Sequence, residues 1–301
     1  MQAFVEDLVE RHGFAKSELK RWFSKTQRVD PVLEAISRPA ERVRGWEDYR
    51  ALLITERRIA EGLEFWKKNS RTLERAEAKY GVPPEYIVAI IGVETFYGRN
   101  TGSWRVMDAL TTLAFDYPPR AGFFRSELEH YLLMAREAKL DVFSVRGSYA
   151  GAIGIPQFMP SSARRYAVDF DRNGRIDLQK SRSDAIGSVG NFLKVHGWER
   201  DADVAVEARV TGEAWRPFVD GRFEPKHSLT ELRAAGVEFD SPQPAGASAA
   251  LIELPNLERP SSFRVGLRNF YVITRYNRSA LYASAVAELA RELRRGYDLG
   301  K

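Results

Sequence analysis

An almost unbroken apolar run, Pro84-Glu85-Tyr86-Ile87-Val88-Ala89-Ile90-Ile91-Gly92-Val93-Glu94-Thr95-Phe96-Tyr97-Gly98, ends with a carboxyl group inside it. Read as a helix, Ile87, Ile90, Ile91 and Glu94 stand at i, i+3, i+4 and i+7 and share one stripe. Pro84 can open such a helix, and Gly98 is expected to close it. Glu94 then faces the core or the wall of a cleft. Burial disfavours the charged carboxylate and raises its pKa. The negative end of the helix dipole acts in the same direction on a group in the last turn. Both effects suit a general acid that must hold a proton near neutral pH. The plain alternative is a carboxylate paired with a basic residue at a helix end.

The rest of the chain reads as mainly helical. Residues 1–75 are predicted helical, with a first helix through Phe4, Leu8 and Val9 that stops at Gly13. A long amphipathic helix is predicted from Glu47 to Arg75, carrying Tyr49, Leu52, Leu53, Ile59, Leu63 and Trp66. Tyr80-Gly81-Val82-Pro83-Pro84 is a break. Residues 84–200 read as a compact helical unit with glycine-rich interruptions at 146–154 and 171–174. Residues 201–262 change character: Val204, Val206, Ala208 and Val210 alternate as on a half-buried strand, and Val219-Asp220-Gly221-Arg222 carries a hairpin signal. A small β subdomain is expected there. An aromatic-rich segment follows from Phe263, then a helix from Ser279 to Arg295.

Composition removes several classes. No apolar run approaches the ~18 residues of a membrane span. The chain has no cysteine, which excludes disulfides and thiolate metal sites. Its four histidines, His12, His130, His196 and His227, stand at no helical ligand spacing, which argues against a zinc site. The net charge of +5 comes from 46 basic and 41 acidic residues spread along the chain. Its densest cluster, Arg291–Arg295, reads as a solvated helix face. No nucleic-acid-binding motif is present. The start, Met1-Gln2-Ala3-Phe4-Val5-Glu6-Asp7, lacks the basic and apolar pattern of an export signal.

Three motifs in order carry a resemblance. Val93-Glu94-Thr95-Phe96-Tyr97-Gly98 resembles the catalytic segment of lysozyme-like lytic transglycosylases. Gly147-Ser148-Tyr149-Ala150-Gly151-Ala152-Ile153-Gly154-Ile155-Pro156-Gln157-Phe158-Met159-Pro160-Ser161-Ser162 resembles their glycine-rich substrate segment, and its Gln-Phe-Met-Pro-Ser-Ser ending resembles family B. Asn269-Phe270-Tyr271-Val272-Ile273-Thr274-Arg275-Tyr276-Asn277-Arg278-Ser279 resembles the C-terminal motif of that family. The chain is thus similar to the lytic murein transglycosylase B family, which has lipoprotein-anchored and soluble members.

The resemblance implies a mainly α fold with a lysozyme-like catalytic core. Its expected parts are a helical domain over 1–75 completed by the C-terminal helix 279–301, a core over 76–200, a β subdomain over 201–262 and a return segment over 263–301. It implies cleavage of the β-1,4 bond between N-acetylmuramic acid and N-acetylglucosamine without water, leaving a 1,6-anhydro sugar, with Glu94 as the catalytic residue. Ser148, Gln157, Tyr276, Asn277, Arg120 and Tyr282 match positions at the substrate site, with an ordinary core aromatic as the alternative for Tyr282. The family often has two adjacent arginines where this chain has Pro119-Arg120. Gly147, Gly151 and Gly154 would let backbone approach a sugar, or simply make a turn.

Asp169-Phe170-Asp171-Arg172-Asn173-Gly174-Arg175-Ile176-Asp177 reads as the start of an EF-hand, with oxygen ligands at positions 1, 3 and 5 and glycine at 6. The twelfth position, normally a bidentate glutamate, is Lys180. The resemblance implies a variant loop over 169–184 that ends on Asp184. The expected Ca²⁺ ligands are Asp169, Asp171, Asn173, Arg175 and Asp184, in a structural role. An ordinary Asp-rich turn is the alternative.

No organic cofactor is expected. The implied partner is the glycan strand of peptidoglycan, with other cell-wall enzymes as further partners and a monomer as the expected state. Peptidoglycan lies outside the cytoplasmic membrane, so a periplasmic enzyme is expected, with an outer-membrane lipoprotein precursor as one form. The rival readings are a hydrolytic muramidase, which would use a second carboxylate, and a non-catalytic peptidoglycan-binding protein.

Overall fold

A computed structural model describes residues 1–37 and 45–300. Residues 38–44 of the predicted helical region 1–75, and residue 301 of the predicted C-terminal helix 279–301, lie outside the described residues. Two compact units make up the chain. One comprises Met1–Ala40 and Gly98–Ser188, the other Glu41–Tyr97 and Val189–Lys301. Each is assembled from two separate stretches, so the units interleave along the sequence where the expected parts ran mostly in series.

In the first unit, helices Gln2–His12, Lys16–Phe23 and Asp30–Ser37 join Val106–Asp116, Ala121–Glu137 and Pro160–Tyr166. The first helix stops at Gly13 as expected, in the left-handed conformation with φ 65°. Leu8, Leu19, Val32, Leu110, Leu128 and Tyr131 meet in one core. Helix Val106–Asp116 is buried along most of its length. Two of its polar residues accept from backbone, Asp108 from Gln27 N at 3.2 Å and Thr112 from Val29 N at 3.1 Å. Buried polar atoms of this kind must be paired. A short antiparallel pair, Trp104–Arg105 with Arg146–Gly147, leads into the glycine-rich segment.

In the second unit, the predicted helix Glu47–Arg75 is two helices, Trp46–Leu53 and Glu56–Tyr80. The break falls at Thr55, an N-cap whose hydroxyl accepts from Arg58 N at 3.1 Å. Helix Pro84–Thr95 is not merely striped but enclosed: Ile87, Val88, Ala89, Ile90 and Ile91 are all fully buried. It packs against Glu56–Tyr80 and against the terminal helix Ala280–Leu299. Its end departs from expectation. Phe96, not Gly98, is the cap, with φ 51°, and Tyr97 follows at φ 61°. Aromatic packing offsets the cost of two left-handed residues. The Tyr97 ring lies over Gly92, where a Cβ would come within 2.7 Å of it. Its hydroxyl donates to Arg58 O at 2.8 Å.

The expected β subdomain is a five-stranded antiparallel sheet in the order His227–Ser228, Ser248–Leu254, Ser262–Gly266, Ala205–Val210, Val237–Phe239. Trp215, Leu229, Leu232, Leu251 and Val265 form its core. The hairpin signal at Asp220-Gly221 is corrected. Asp220 does accept from Arg222 N at 2.8 Å, but strand Ala205–Val210 pairs with Val237–Phe239 and Ser262–Gly266, so the turn joins no adjacent strands. Among the described residues, no helix is long and apolar enough to cross a membrane.

Candidate active site

Glu94 sits in the last turn of helix Pro84–Thr95, as its position in the run requires. Its carboxyl retains some exposure but is densely enclosed, and burial pushes its pKa up to about 7. The one opposing influence is the Tyr282 hydroxyl, which donates to Glu94 Oε1 at 2.6 Å. Among the described residues, no second carboxylate contributes to the shift. A carboxyl group held at this pKa can give a proton to a leaving oxygen near neutral pH and take one back.

Tyr282 lies in the first turn of the terminal helix, 1% exposed, below the Ser279 N-cap. Tyr276 stacks on it with ring centroids 6.5 Å apart. Burial, reinforced by Glu94, pushes both phenols well above the usual range, so both remain donors. Three of the expected residues, Glu94, Tyr276 and Tyr282, therefore form one cluster. Asn277 follows Tyr276 on an exposed turn, where its carbonyl accepts from Ser279 N at 2.8 Å.

Ser148, Gln157 and Arg120 belong to the other unit. Ser148 Oγ accepts from Ala152 N at 3.0 Å, so it shapes its own turn. Gln157 stands at φ 51°, and its Nε2 donates to Thr101 O at 3.1 Å and Gly154 O at 2.8 Å. That leaves Oε1 to accept from a ligand. The glycines serve the protein itself. A Cβ at Gly147 would meet Ala152 O at 2.2 Å, and one at Gly154 would meet Leu178 O at 2.3 Å. Close backbone packing thus accounts for them without a sugar. Arg120 is exposed at the end of a short turn, with its guanidinium 4.4 Å from the Phe123 ring centre.

The acidic loop brings Asp169, Asp171 and Asp184 together, with one oxygen of each within 4.8 Å of the others. Asp184 is fully buried and accepts from Phe170 N and Asp177 N, both at 2.8 Å. Burial acts upward on Asp169, but N–H donors from Gly174 and Asn173 outweigh it and hold the carboxyl below its usual range. Asn173 Oδ1 accepts from Arg175 N at 3.1 Å. Lys180 is exposed and donates its N–H to Asp177, whereas Asp184 is the carboxylate that meets Asp169 and Asp171. Three carboxylates brought together in this way make a hard-oxygen set that fits Ca²⁺.

The family described as the transglycosylase SLT domain matches residues 1–291. The chain belongs to this family. Membrane-bound lytic murein transglycosylase B of Escherichia coli (strain K12) is 43% identical over 297 residues, covering 96% of this chain and 81% of that protein. The solved soluble lytic transglycosylase SltB1 from Pseudomonas aeruginosa is 50% identical with a TM-score of 0.92, over 98% of each chain. The Escherichia coli lytic transglycosylase Slt35, solved in complex with calcium, is 43% identical with a TM-score of 0.88, over 99% of this chain and 93% of that one. The mainly α, lysozyme-like fold with a small sheet is that of the family.

In this transglycosylase-domain chain, sequence reading missed Glu127. It is 4% exposed and accepts from Ser161 N at 2.9 Å and Ser161 Oγ at 2.7 Å. It thereby anchors the end of the Gln157–Ser162 motif. Its signal was present: Phe124, Glu127, Leu128 and Tyr131 follow the same helical spacing that singled out Glu94.

Proposed function

We propose that this protein is a lytic transglycosylase of peptidoglycan. It cleaves the β-1,4 bond between N-acetylmuramic acid and N-acetylglucosamine without water and releases 1,6-anhydro products. The observation that carries this reading is Glu94, a carboxyl group with its pKa pushed up to about 7 and no carboxylate contributing to the shift among the described residues. Glu94 gives its proton to the glycosidic oxygen as that bond breaks. The neighbouring acetamido oxygen of the substrate stabilises the resulting cation. Glu94, now a carboxylate, takes the proton of the sugar's own 6-hydroxyl, whose oxygen closes on the anomeric carbon. One residue serves both steps, where ordinary glycosidases use a pair. Tyr282 holds the carboxyl through Oε1, and Tyr276, Asn277, Ser148, Gln157 and Arg120 contact the glycan. Asp169, Asp171, Asn173, Arg175 and Asp184 hold a structural Ca²⁺. The enzyme works in the periplasm.

Glu94→Gln tests this directly. Glutamine keeps the shape but has no proton to give. Release of anhydro-muropeptides from purified murein should fall by about 10²–10⁴-fold or more, while the folded protein persists. Near wild-type anhydro product would overturn the mechanism. Wild-type products one water heavier by mass spectrometry would instead assign a muramidase.

A further inference from the structure

Helix Ala121–Glu137 and the short helix Pro160–Tyr166 pack together in the first unit and leave a cavity of about 590 Å³ between them. His130 and Glu137, seven residues apart, line it from one face of the longer helix. Ser161, Ser162 and Arg165 line it from the shorter one, where Arg165 lies one turn beyond the two serines. The reaction assigned to Glu94 uses none of these residues.

Part of this wall is fixed by the chain itself. Buried Glu127 accepts from Ser161 Oγ at 2.7 Å. Arg164 donates to both oxygens of Glu137, from Nε at 3.0 Å and Nη2 at 2.6 Å. These bonds hold the Glu137 carboxyl below its usual range, so it stays charged and engages the Arg164 charge. The remaining fork nitrogen of Arg164, Nη1, stands 2.8 Å from His130 Nδ1. A guanidinium only donates, so Nδ1 accepts and the ring proton sits on Nε2.

Three donors remain, and a ligand can reach each of them. Arg165 is exposed and makes no ion pair among the described residues; its guanidinium stands 5.5 Å from the centre of the Tyr166 ring. Ser162 and His130 are half-buried. Neither the Ser162 hydroxyl nor His130 Nε2 has a partner among the described residues, and neither atom is buried.

With His130 neutral, two arginines in the lining stand against one carboxylate. The uncompensated charge is a single positive one, on Arg165, which a monoanion matches. A carboxylate can take a guanidinium on two parallel N–H groups and accept further bonds from a hydroxyl or a ring N–H. The volume lies within the ~300–1,000 Å³ of small-molecule sites, so it admits more than a bare ion. The lining offers one aromatic side chain, Tyr166, 8% exposed, and no aliphatic one, which gives an acyl chain little to pack on.

We propose that this cavity binds a small polar molecule through a single carboxylate, held by Arg165 with Ser162 and His130. The carboxylate ends a peptide or belongs to a sugar acid.

Calorimetric titration of the full chain tests the site without any activity assay, so its outcome is independent of the reaction assigned to Glu94. The probes are N-acetyl-alanyl-alanine of either hand, its amide, glucuronate, glucose and inorganic phosphate. At least one of the two carboxylates should bind at least about tenfold more tightly than its uncharged counterpart. Tighter binding of the dipeptide than of glucuronate assigns a peptide end; the reverse assigns a sugar acid. Arg165→Gln breaks no ion pair, so the melting temperature should stand while affinity falls about tenfold. Ser162→Ala should weaken binding in the same direction. Binding of neither carboxylate, the amide and glucose binding as tightly as the carboxylates, phosphate binding more tightly than either, or full affinity in Arg165→Gln would each overturn the proposal.

Discussion

Glu94 and Glu127 share one sequence signature and meet different fates. Each interrupts an apolar stripe, and each is enclosed. Glu127 receives the N–H and the hydroxyl of Ser161, whereas Glu94 receives a single phenol. Helical spacing reports which face a residue occupies. It is silent on partners that arrive from distant chain positions, so the enclosure of Glu94 was legible and the role of Glu127 was not. The difference has a measurable consequence. The Glu94 pKa is raised from 4.5 to about 7, so the folded state keeps a proton that the unfolded chain releases. Its contribution to stability is full below about pH 4.5 and is lost as pH rises toward 7. Glu94→Gln does not titrate. Its stability relative to wild type should rise across that window by up to about 3 kcal/mol, at about 1.4 kcal/mol per pKa unit, and then level off. Denaturant melts at pH 4, 5.5 and 8 check this, and a constant difference across them would remove the raised pKa.

At the scale of elements, the sequence was most legible where periodicity is long. The helix around Glu94, the first helix and the strand Ala205–Val210 all stand where spacing placed them. Breaks were harder. Thr55 splits a continuous apolar pattern by capping its own helix, a choice made by one hydroxyl rather than by the pattern. Asp220-Gly221 makes a turn whose flanking strands found other neighbours, because strand pairing is decided across the sheet. The acidic loop falls between these cases. Its first acidic positions follow a fixed spacing, while the approach of Asp184 to them depends on where helix Arg182–Val195 begins. Excess Ca²⁺ should raise the Tm and chelator should lower it, since a ligand bound only by the folded state stabilises it. Asp169→Asn should abolish that calcium response. Asp184→Asn should destabilise even in chelator, because an amide NH₂ would face the N–H donors of Phe170 and Asp177. Equal melting with calcium and chelator would remove the metal site.

For the whole molecule, the consequential fact is that each unit is built from two stretches far apart in sequence. No motif announces this, because it is a property of contacts rather than of spacing. The unit that holds Glu94 closes only when the last helix arrives. Ala280–Leu299 brings Tyr282 to the acid and buries Val286, Leu289 and Leu293 completely. Full burial of such side chains contributes about 1.5–3 kcal/mol each, against a total stability of about 5–15 kcal/mol for a typical domain. Loss of the helix would also uncover Ile87, Ile90 and Ile91 on the helix it packs against. A chain ending at Arg278 should therefore fail as a folded protein rather than merely as an enzyme. Near-ultraviolet circular dichroism and the cooperativity of thermal unfolding are the measurements. The truncated chain should lose the fixed aromatic signal and the sharp transition, while Glu94→Gln, equally inactive, should keep both. A truncated chain that melts as sharply as the full protein would show that the second unit does not depend on its final helix.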